Sequence, residues 1–155
     1  MFVLCPTTYH KKLKENMIQR IQSVYLLLAS LVGSSLFALP FASGPVKSEG
    51  VLADGYLNIN DNIALIILTV LVVLLSFVTI FLYNNRKLQM NLGKLNILIT
   101  AGLFAFAAYL FYTIQSIATV GGGLFMPVLV MILIILANKG IQKDDKLVRD
   151  SNRLR

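Results

Sequence analysis

Residues 95–138 read LNILITAGLFAFAAYLFYTIQSIATVGGGLFMPVLVMILIILAN, a run of 44 residues without a charged side chain, bounded by Lys94 and Lys139. A helix rises about 1.5 Å per residue, so about 20 residues cross a hydrocarbon core about 30 Å thick. The run is too long for one crossing and fits two crossings joined by a turn. We predict the turn at Gly121–Gly123, because glycine permits a chain reversal without steric cost. The run is therefore interpreted as a transmembrane hairpin with both bounding lysines on one side.

The composition of the whole chain agrees with a membrane protein. Its hydrophobic content is 57% and its mean hydropathy +0.76, whereas soluble domains contain about 45–50% apolar residues. Two further apolar runs precede the hairpin, so we predict spans at about 24–42, 63–83, 95–113 and 118–138. The predicted fold is an all-α membrane protein, an antiparallel four-helix transmembrane bundle formed by residues 17–138.

The positive charges set the predicted orientation. Of the 14 Lys and Arg residues, all except Lys47 lie before the first span, between the second and third spans, or after the fourth. Short cytoplasmic loops carry an excess of Lys and Arg. We therefore expect both termini in the cytoplasm (N-in/C-in), residues 43–62 on the outer side, and a bacterial inner-membrane location. The 43–62 loop carries turn signals but no recognisable site.

The first residues differ from the rest of the chain. Residues 1–16 are too short to cross a bilayer, and Met17 begins a compact basic lead into the first span. We interpret 1–16 as a non-native or disordered extension and Met17 as the true start. A cleaved signal peptide is the alternative, but the apolar run is longer than usual and Pro40 makes a poor cleavage site.

Small side chains mark two candidate helix-packing faces. Small residues let helix backbones approach closely in a membrane, either within one chain or between copies. For the face in the first span, packing within the chain is the simpler interpretation and a dimer interface the alternative. The Phe and Tyr residues beside the second face are interpreted as packing or interface anchors, with a lipid or quinone site as the alternative. The two faces consist of Ala29, Ser30, Gly33, Ser34 and Ala38 in the first span and Ala101, Ala105 and Ala108 in the third.

The tail, residues 139–155, is basic and is predicted to be helical, because oppositely charged residues recur at three- and four-residue spacing. Attraction to anionic lipid headgroups is one interpretation, and docking to a cytoplasmic partner is the other. The predicted contact or lipid-binding residues are Arg20, Lys143, Asp144, Asp145, Arg149, Arg153 and Arg155.

Residue types needed for catalysis are missing from the predicted spans, which contain no Asp, Glu, Lys, Arg or His. This argues against a proton relay or an ion pump, which keep ionisable groups at membrane depth. The single Cys5 and single His10 do not form a metal site, and no nucleotide-binding glycine motif is present. We predict no catalytic, cofactor or metal site, no enzymatic activity and no nucleic-acid partner.

Two segments carry a resemblance to a known family. They are MIQRIQSVYLLLA at residues 17–29, and KDDKLVR with RLR at residues 143–149 and 153–155. Together they resemble the family catalogued as domain of unknown function 4293, small four-span membrane proteins of Bacteroidota. The resemblance implies an inner-membrane location and transfers no catalytic residue. It directs attention to a contact between Gln19, Arg20 and Gln22 and the tail around Asp145.

We predict a non-enzymatic accessory or assembly subunit of a larger membrane complex, in contact with membrane lipids and other membrane subunits. A homo-oligomeric protein that handles small solutes or lipids is the alternative. An accessory subunit should co-purify with an unlike protein at fixed ratio, whereas a carrier should form a defined homo-oligomer.

Overall fold

A computed structural model describes residues 7–45, 54–82 and 85–153, with side chains described for 21–45, 54–82, 85–146 and 149. Four helices account for most of these residues: α1 Thr7–Ser35, α2 Ile63–Phe81, α3 Arg86–Ile114 and α4 Met126–Arg153. Three two-residue strands lie between them: β1 Ala42–Ser43, β2 Tyr56–Leu57 and β3 Thr119–Val120. Short 3₁₀-helices precede α2 and α4, at Ile59–Asp61 and Gly122–Phe125. The centre of the predicted outer loop, residues 46–53, and residues 1–6 lie outside this description.

Three helical segments are long and apolar enough to cross a membrane, judged by length and composition. They are Ile63–Phe81, Arg86–Ile114 and Gly122–Lys146. The apolar part of α1 with described side chains, Ile21–Ser35, is shorter. The start of α2 is capped by Asn62, whose side-chain oxygen accepts a hydrogen bond from the Ala64 N–H at 2.9 Å, as is typical of asparagine at this position.

The helices pack in a ring in which α1 and α3 each contact both α2 and α4. The strands form one antiparallel sheet in the order β2-β1-β3, with Ala42 opposite both Leu57 and Val120. This sheet joins the C-terminal ends of α1 and α3 to the N-terminal ends of α2 and α4, so consecutive helices alternate in direction. We call this the sheet end. The opposite end, formed by the start of α1, the α2–α3 connection and the second half of α4, is called the basic end.

Two glycines of the sheet end are required by close backbone contact. Gly121 donates its N–H to the Phe41 carbonyl at 2.8 Å, and Gly123 donates to the Pro40 carbonyl at 3.0 Å. A Cβ at residue 121 or 123 would lie 2.4 or 2.7 Å from the Pro40 oxygen, which is closer than real Cβ contacts come. The reversal predicted at Gly121–Gly123 thus also fixes the chain against the segment that follows α1.

Buried residues follow the same repeat on all four helices. They are separated alternately by three and four residues, the average spacing of 3.5 that is typical of left-handed helix packing. The positions of the repeat are 22, 26, 29, 33 and 36 for α1 and its following turn, 65, 69, 72, 76 and 79 for α2, 89, 93, 96, 100, 103 and 107 for α3, and 127, 130, 134, 137, 141 and 144 for α4, where Asn138 is buried in addition.

Helix boundaries differ from the predicted spans at several points. α1 ends at Ser35, before the predicted end at 42, because Pro40 lacks an N–H and Ala42 pairs in the sheet. α3 begins at Arg86, so the predicted loop between the second and third spans is largely helical. In the fourth predicted span, 118–138, residues 119–120 form β3, and α4 continues unbroken into the predicted tail. Residues 7–16, expected to be disordered or non-native, form the first turns of α1, and the start at Met17 stays a prediction.

Candidate functional site

Polar side chains occupy several core positions of the basic end. Apolar residues fill the sheet end, where Leu36, Phe41, Leu57, Leu65 and Leu103 belong to one cluster. Ala29, Val72, Val130 and Ile134 form a second apolar cluster. Leu26, Ala137 and Ile141 are buried nearer the basic end. The buried polar residues are Thr69, which lies between Leu65 and Val72 on α2, and Gln22, Ser76, Thr79, Gln89, Asn96, Thr100, Asn138 and Asp144.

Asn96 is the centre of a hydrogen-bonded group between α2 and α3. Its Nδ2 donates to Ser76 Oγ at 2.8 Å and to the Val72 carbonyl at 3.4 Å. Thr100 Oγ1 donates to the Asn96 carbonyl at 2.7 Å. Such interhelical bonds contribute about 0.6 kcal/mol each in membrane proteins, so they position the two helices more than they stabilise them.

Gln89 repeats this contact nearer the basic end. Its Nε2 donates to the Thr79 carbonyl at 3.2 Å, while Thr79 Oγ1 donates to the Leu75 carbonyl. The hydroxyls of Ser76 and Thr79 bond to the preceding turn of α2, as hydroxyls within helices commonly do. The buried Oγ1 of Thr69 has no partner among the described residues.

Glycines let α4 approach its two neighbours. A Cβ on Gly93 would lie 2.2 Å from Asn138 Oδ1, so Asn138 of α4 lies directly over the backbone of α3. A Cβ on Gly140 would lie 2.9 Å from Gln22 Cγ, so Gln22 of α1 packs on α4. These contacts fix which faces of α4 meet α3 and α1.

Arg86 and Asp144 join the start of α3 to the second half of α4. Arg86 Nη2 lies 3.3 Å from Asp144 Oδ2, and Nη1 donates to the Asp144 carbonyl at 3.5 Å. The Asp144 side chain is 4% exposed and that of Arg86 29%. A carboxylate here also lies near the positive N-terminal end of the α3 dipole. We had not predicted this pair, although the two opposite charges lie at the ends of adjacent apolar helices.

Four buried polar atoms of the core have no hydrogen-bond partner among the described residues. They are Gln22 Nε2, Thr69 Oγ1, Asn96 Oδ1 and Asp144 Oδ1. Buried polar groups are nearly always paired with protein or water. The basic end of the core therefore retains unused hydrogen-bonding capacity, whereas the sheet end is apolar.

The small residues of the first span divide between two environments. Ala29 and Gly33 are buried, and a Cβ on Gly33 would lie 3.0 Å from a methyl carbon of Val73 in α2. Ser30 is half-buried, and Ser34 and Ala38 are exposed. The hydroxyls of Ser30 and Ser34 donate to carbonyls within α1. Only part of the predicted face thus packs inside the chain.

The small residues of α3 that were predicted to pack do not face the interior of the chain. Ala101 and Ala105 are exposed, Ala108 is half-buried, and a Cβ on Gly102 would meet nothing within 4 Å. The role of Ala101, Ala105 and Ala108 in helix packing stays a prediction. The inward positions of α3 are Gln89, Gly93, Asn96, Thr100, Leu103 and Ala107.

The predicted contact residues of the tail also divide. Lys143 is exposed, Asp144 pairs with Arg86, and Asp145 forms the expected i,i+4 ion pair with Arg149 at 2.7 Å. The side chains of Arg20, Arg153 and Arg155 lie outside the described residues, so the Arg20–Asp145 contact stays a prediction. Among the described side chains, no group of three or more His, Cys, Asp or Glu residues is placed to hold a metal ion.

At the sheet end, the pKa of the Asp61 carboxyl is shifted from its ordinary value. Burial raises the pKa of Asp61 above 3.8, a hydrogen bond from the Asn58 N–H opposes this, and the negative charge of Asp54 adds to the increase. The same hydrogen bond closes the first turn of the 3₁₀-helix Ile59–Asp61, so the carboxylate has a structural role.

A protein-family model matches the part of the chain that contains these elements. The model of the domain of unknown function DUF4293 matches residues 18–154, which include most of α1 and all of α2, α3 and α4. The chain belongs to the DUF4293 family. The resemblance of residues 17–29 and 143–149 to this family is thereby confirmed. Neither the curated proteins nor the solved structures contain a significant match to the chain. The description of the DUF4293 family names no activity, so it assigns no role to the polar core.

Proposed function

We propose that this DUF4293 protein is a non-enzymatic accessory or assembly subunit of an inner-membrane complex, crossing the membrane four times with both termini in the cytoplasm. The membrane placement is supported by the distribution of side chains in α2. There Ile63, Leu74 and Phe81 are exposed while Thr69 and Ser76 are buried. A helix on the surface of a soluble protein shows the opposite pattern. Exposed apolar and buried polar side chains suit a helix surrounded by lipid, where polar side chains face the protein interior.

The length and continuity of α4 support the accessory role. The apolar part of this helix ends near Asn138, yet the helix continues to Arg153. Those 15 residues add roughly 22 Å at 1.5 Å per residue. Arg86 holds Asp144 at the base of this projection. A helix fixed in this way presents a rigid cytoplasmic surface, which lowers the entropic cost of binding a partner.

Truncation after Lys146 tests this role, because it removes the end of the projection and keeps the Arg86–Asp144 pair. A tag within residues 46–53 leaves both termini free for purification from native membranes in mild detergent. We expect an unlike protein to co-purify at a fixed ratio with the full chain and to be lost on truncation. Phe125→Ala, an exposed position at the sheet end, serves as a control that should retain the partner. Recovery of the chain alone, in full-length and truncated form alike, would contradict the accessory role.

A homo-oligomeric carrier for small solutes or lipids is the second candidate. It is favoured by the unpaired polar atoms Gln22 Nε2 and Asn96 Oδ1, which could hydrogen-bond a small polar molecule inside the core. The mass of the detergent-solubilised particle separates the candidates, since a carrier should give an integral multiple of the 17.2 kDa chain without an unlike partner.

A further inference from the structure

We propose that the outer groove between α3 and α4 at the basic end binds the headgroup of an anionic phospholipid through five exposed lysines. These are Lys87 and Lys94 of α3, and Lys139, Lys143 and Lys146 of α4. The inference rests on the membrane placement proposed above, but not on the partner of the tail.

Contacts of α3 show which way its lysines point. Asn96 faces α2, because it donates to Ser76, and Gly93 faces α4, because Asn138 lies over it. Side chains turn about 100° per residue around a helix. Lys94 therefore lies about 100° beyond Gly93, on the side away from α2. Lys87, two turns earlier, shares this face, so both lysines flank α4 on the outer surface of the bundle.

The same reasoning places the lysines of α4 on its outer surface. Gly140 faces α1 through Gln22, and Asn138 faces α3 through Gly93. Lys139 lies about 100° from each of these two directions and therefore points out of the bundle. Lys146 lies about 80° from the Asn138 direction, on the α3 side of Lys139, whereas Lys143 lies about 60° from the Gly140 direction. Lys139 and Lys146 thus border the groove beside α3, and Lys143 lies at its outer margin.

The depth of the lysines matches a headgroup layer. Lys94 and Lys139 directly bound the uncharged run 95–138, so they lie where hydrocarbon meets headgroups. Lys87 and Lys146 lie seven residues further out, about 10 Å along their helices. The headgroup region extends about 5–8 Å beyond the hydrocarbon on each side. Lys94 and Lys139 therefore lie at the edge of the layer that contains the lipid phosphates, and Lys87 and Lys146 lie just outside this layer, which their long side chains can reach.

The charges of the groove are not used within the protein. The two ion pairs among the described side chains join Arg86 to Asp144 and Arg149 to Asp145. None of the five lysines contacts a carboxylate of a described residue. Basic sites between transmembrane helices on the cytoplasmic side are suited to anionic headgroups. The phosphate of a phospholipid supplies the complementary charge at the required depth.

The surface below the lysines is shaped for an acyl chain. Continuing from Lys94 along the same side of α3, Leu98, Ala101 and Ala105 are exposed. On α4 the groove side continues with Ile132, which is exposed, and Ile135, which is half-buried. Small side chains on one wall and branched apolar ones on the other leave a shallow furrow. Its direction matches a lipid whose headgroup lies among the lysines.

Native mass spectrometry of the purified full chain tests the site, with phosphatidylglycerol or phosphatidylcholine added in stated amounts. We expect phosphatidylglycerol to be retained in preference to phosphatidylcholine. In the double variant Lys94→Gln/Lys139→Gln its dissociation constant should rise about 25-fold, since each lysine near an anionic surface contributes about fivefold. The variant Lys94→Arg/Lys139→Arg should retain binding, because the charges are kept.

The matched control is Arg149→Gln/Arg153→Gln, which removes the same net charge from α4 beyond the groove and should change the dissociation constant less than twofold. Equal loss in the control would overturn the site in favour of general charge attraction. Equal retention of both lipids would overturn it as well. If soluble glycerol phosphate displaced bound phosphatidylglycerol as strongly as added lipid does, the groove would be assigned to a free phosphate ester instead. Truncation after Lys146 keeps all five lysines, so the lipid site and the docking role can fail independently.

Discussion

The sheet end and the basic end of the core share one helical repeat and differ in the side chains that fill it. At the sheet end, Phe41, Leu57, Leu65 and Leu103 pack into an apolar cluster that the three-stranded sheet closes. At the basic end, Gln22, Gln89, Asn96 and Asp144 occupy inward positions of the same repeat, next to the buried Leu26 and Ile141. The 3.5-residue repeat therefore determines most of the inward positions, and the identity of the residues at these positions differs between the two ends. The sheet end is packed with apolar side chains, whereas the core toward the basic end contains polar groups without a described partner, such as Gln22 Nε2 and Asp144 Oδ1.

The largest difference between the two ends is expected on truncating an apolar core residue. Phe41→Ala removes a fully buried ring from the sheet end and should lower the free energy of unfolding by about 3–5 kcal/mol, through lost transfer energy and the cavity left behind. Denaturant titration in detergent followed by circular dichroism measures it. Phe125→Ala, which is 65% exposed in the wild type, should change the same quantity by less than about 0.5 kcal/mol. Equal losses would mean that Phe41 is not part of a packed core.

At the basic end, the corresponding residue is Arg86. Arg86→Gln leaves the Asp144 carboxylate buried without its partner and should cost about 3 kcal/mol, because breaking a buried ion pair leaves an uncompensated charge. The double variant Arg86→Gln/Asp144→Asn should recover at least about 1 kcal/mol of this loss, measured as the coupling free energy of the cycle. Additive losses would show that the pair is not coupled.

The cap of the sheet end gives a smaller effect with a matched control beside it. Gly121→Ala places a Cβ against the Pro40 carbonyl and should destabilise the protein by about 1–3 kcal/mol, as overpacking does. Gly122→Ala adds the same methyl group where nothing lies within 4 Å, and should be close to neutral. Both are compared by thermal unfolding. A cost at Gly122 equal to that at Gly121 would point to a turn effect rather than to contact with Pro40.

The smallest expected effect is the pH response of Asp61. Because its pKa is raised in the folded protein, the folded state binds more protons than the unfolded state between pH 3.8 and the raised value. Stability from this group should therefore decrease as the pH rises through that window. Asp61→Asn should flatten the slope of stability against pH there, while its amide oxygen still accepts the Asn58 N–H bond. An unchanged slope would assign the pH dependence to other groups.

The sequence predicted the helical, apolar character of the chain, because charges end abruptly at Lys94 and Lys139. Asparagine and aspartate at residues 60–62 favour a helix start there, and Asn62 caps α2 because its side chain acts on its own helix. The sheet could not be predicted, since its two-residue strands carry no periodicity and depend on contacts between segments distant in the sequence. The outward position of Ala101 and Ala105 could not be predicted from their small size, because alanine suits a lipid surface as well as a helix contact. Asn96 and Thr100 face inward, since a lipid surface accepts an amide or a hydroxyl poorly.

In the proposed topology the sheet end and the basic end lie on opposite sides of a membrane, with the basic end in the cytoplasm. The variants Tyr56→Cys and Lys143→Cys, each in a Cys5→Ser background, test this topology with a membrane-impermeant thiol reagent on cells whose inner membrane is intact and whose outer membrane has been permeabilised. We expect labelling of Tyr56→Cys in these cells and labelling of Lys143→Cys only after the inner membrane is permeabilised as well. Labelling of Lys143→Cys while the inner membrane is intact would contradict it.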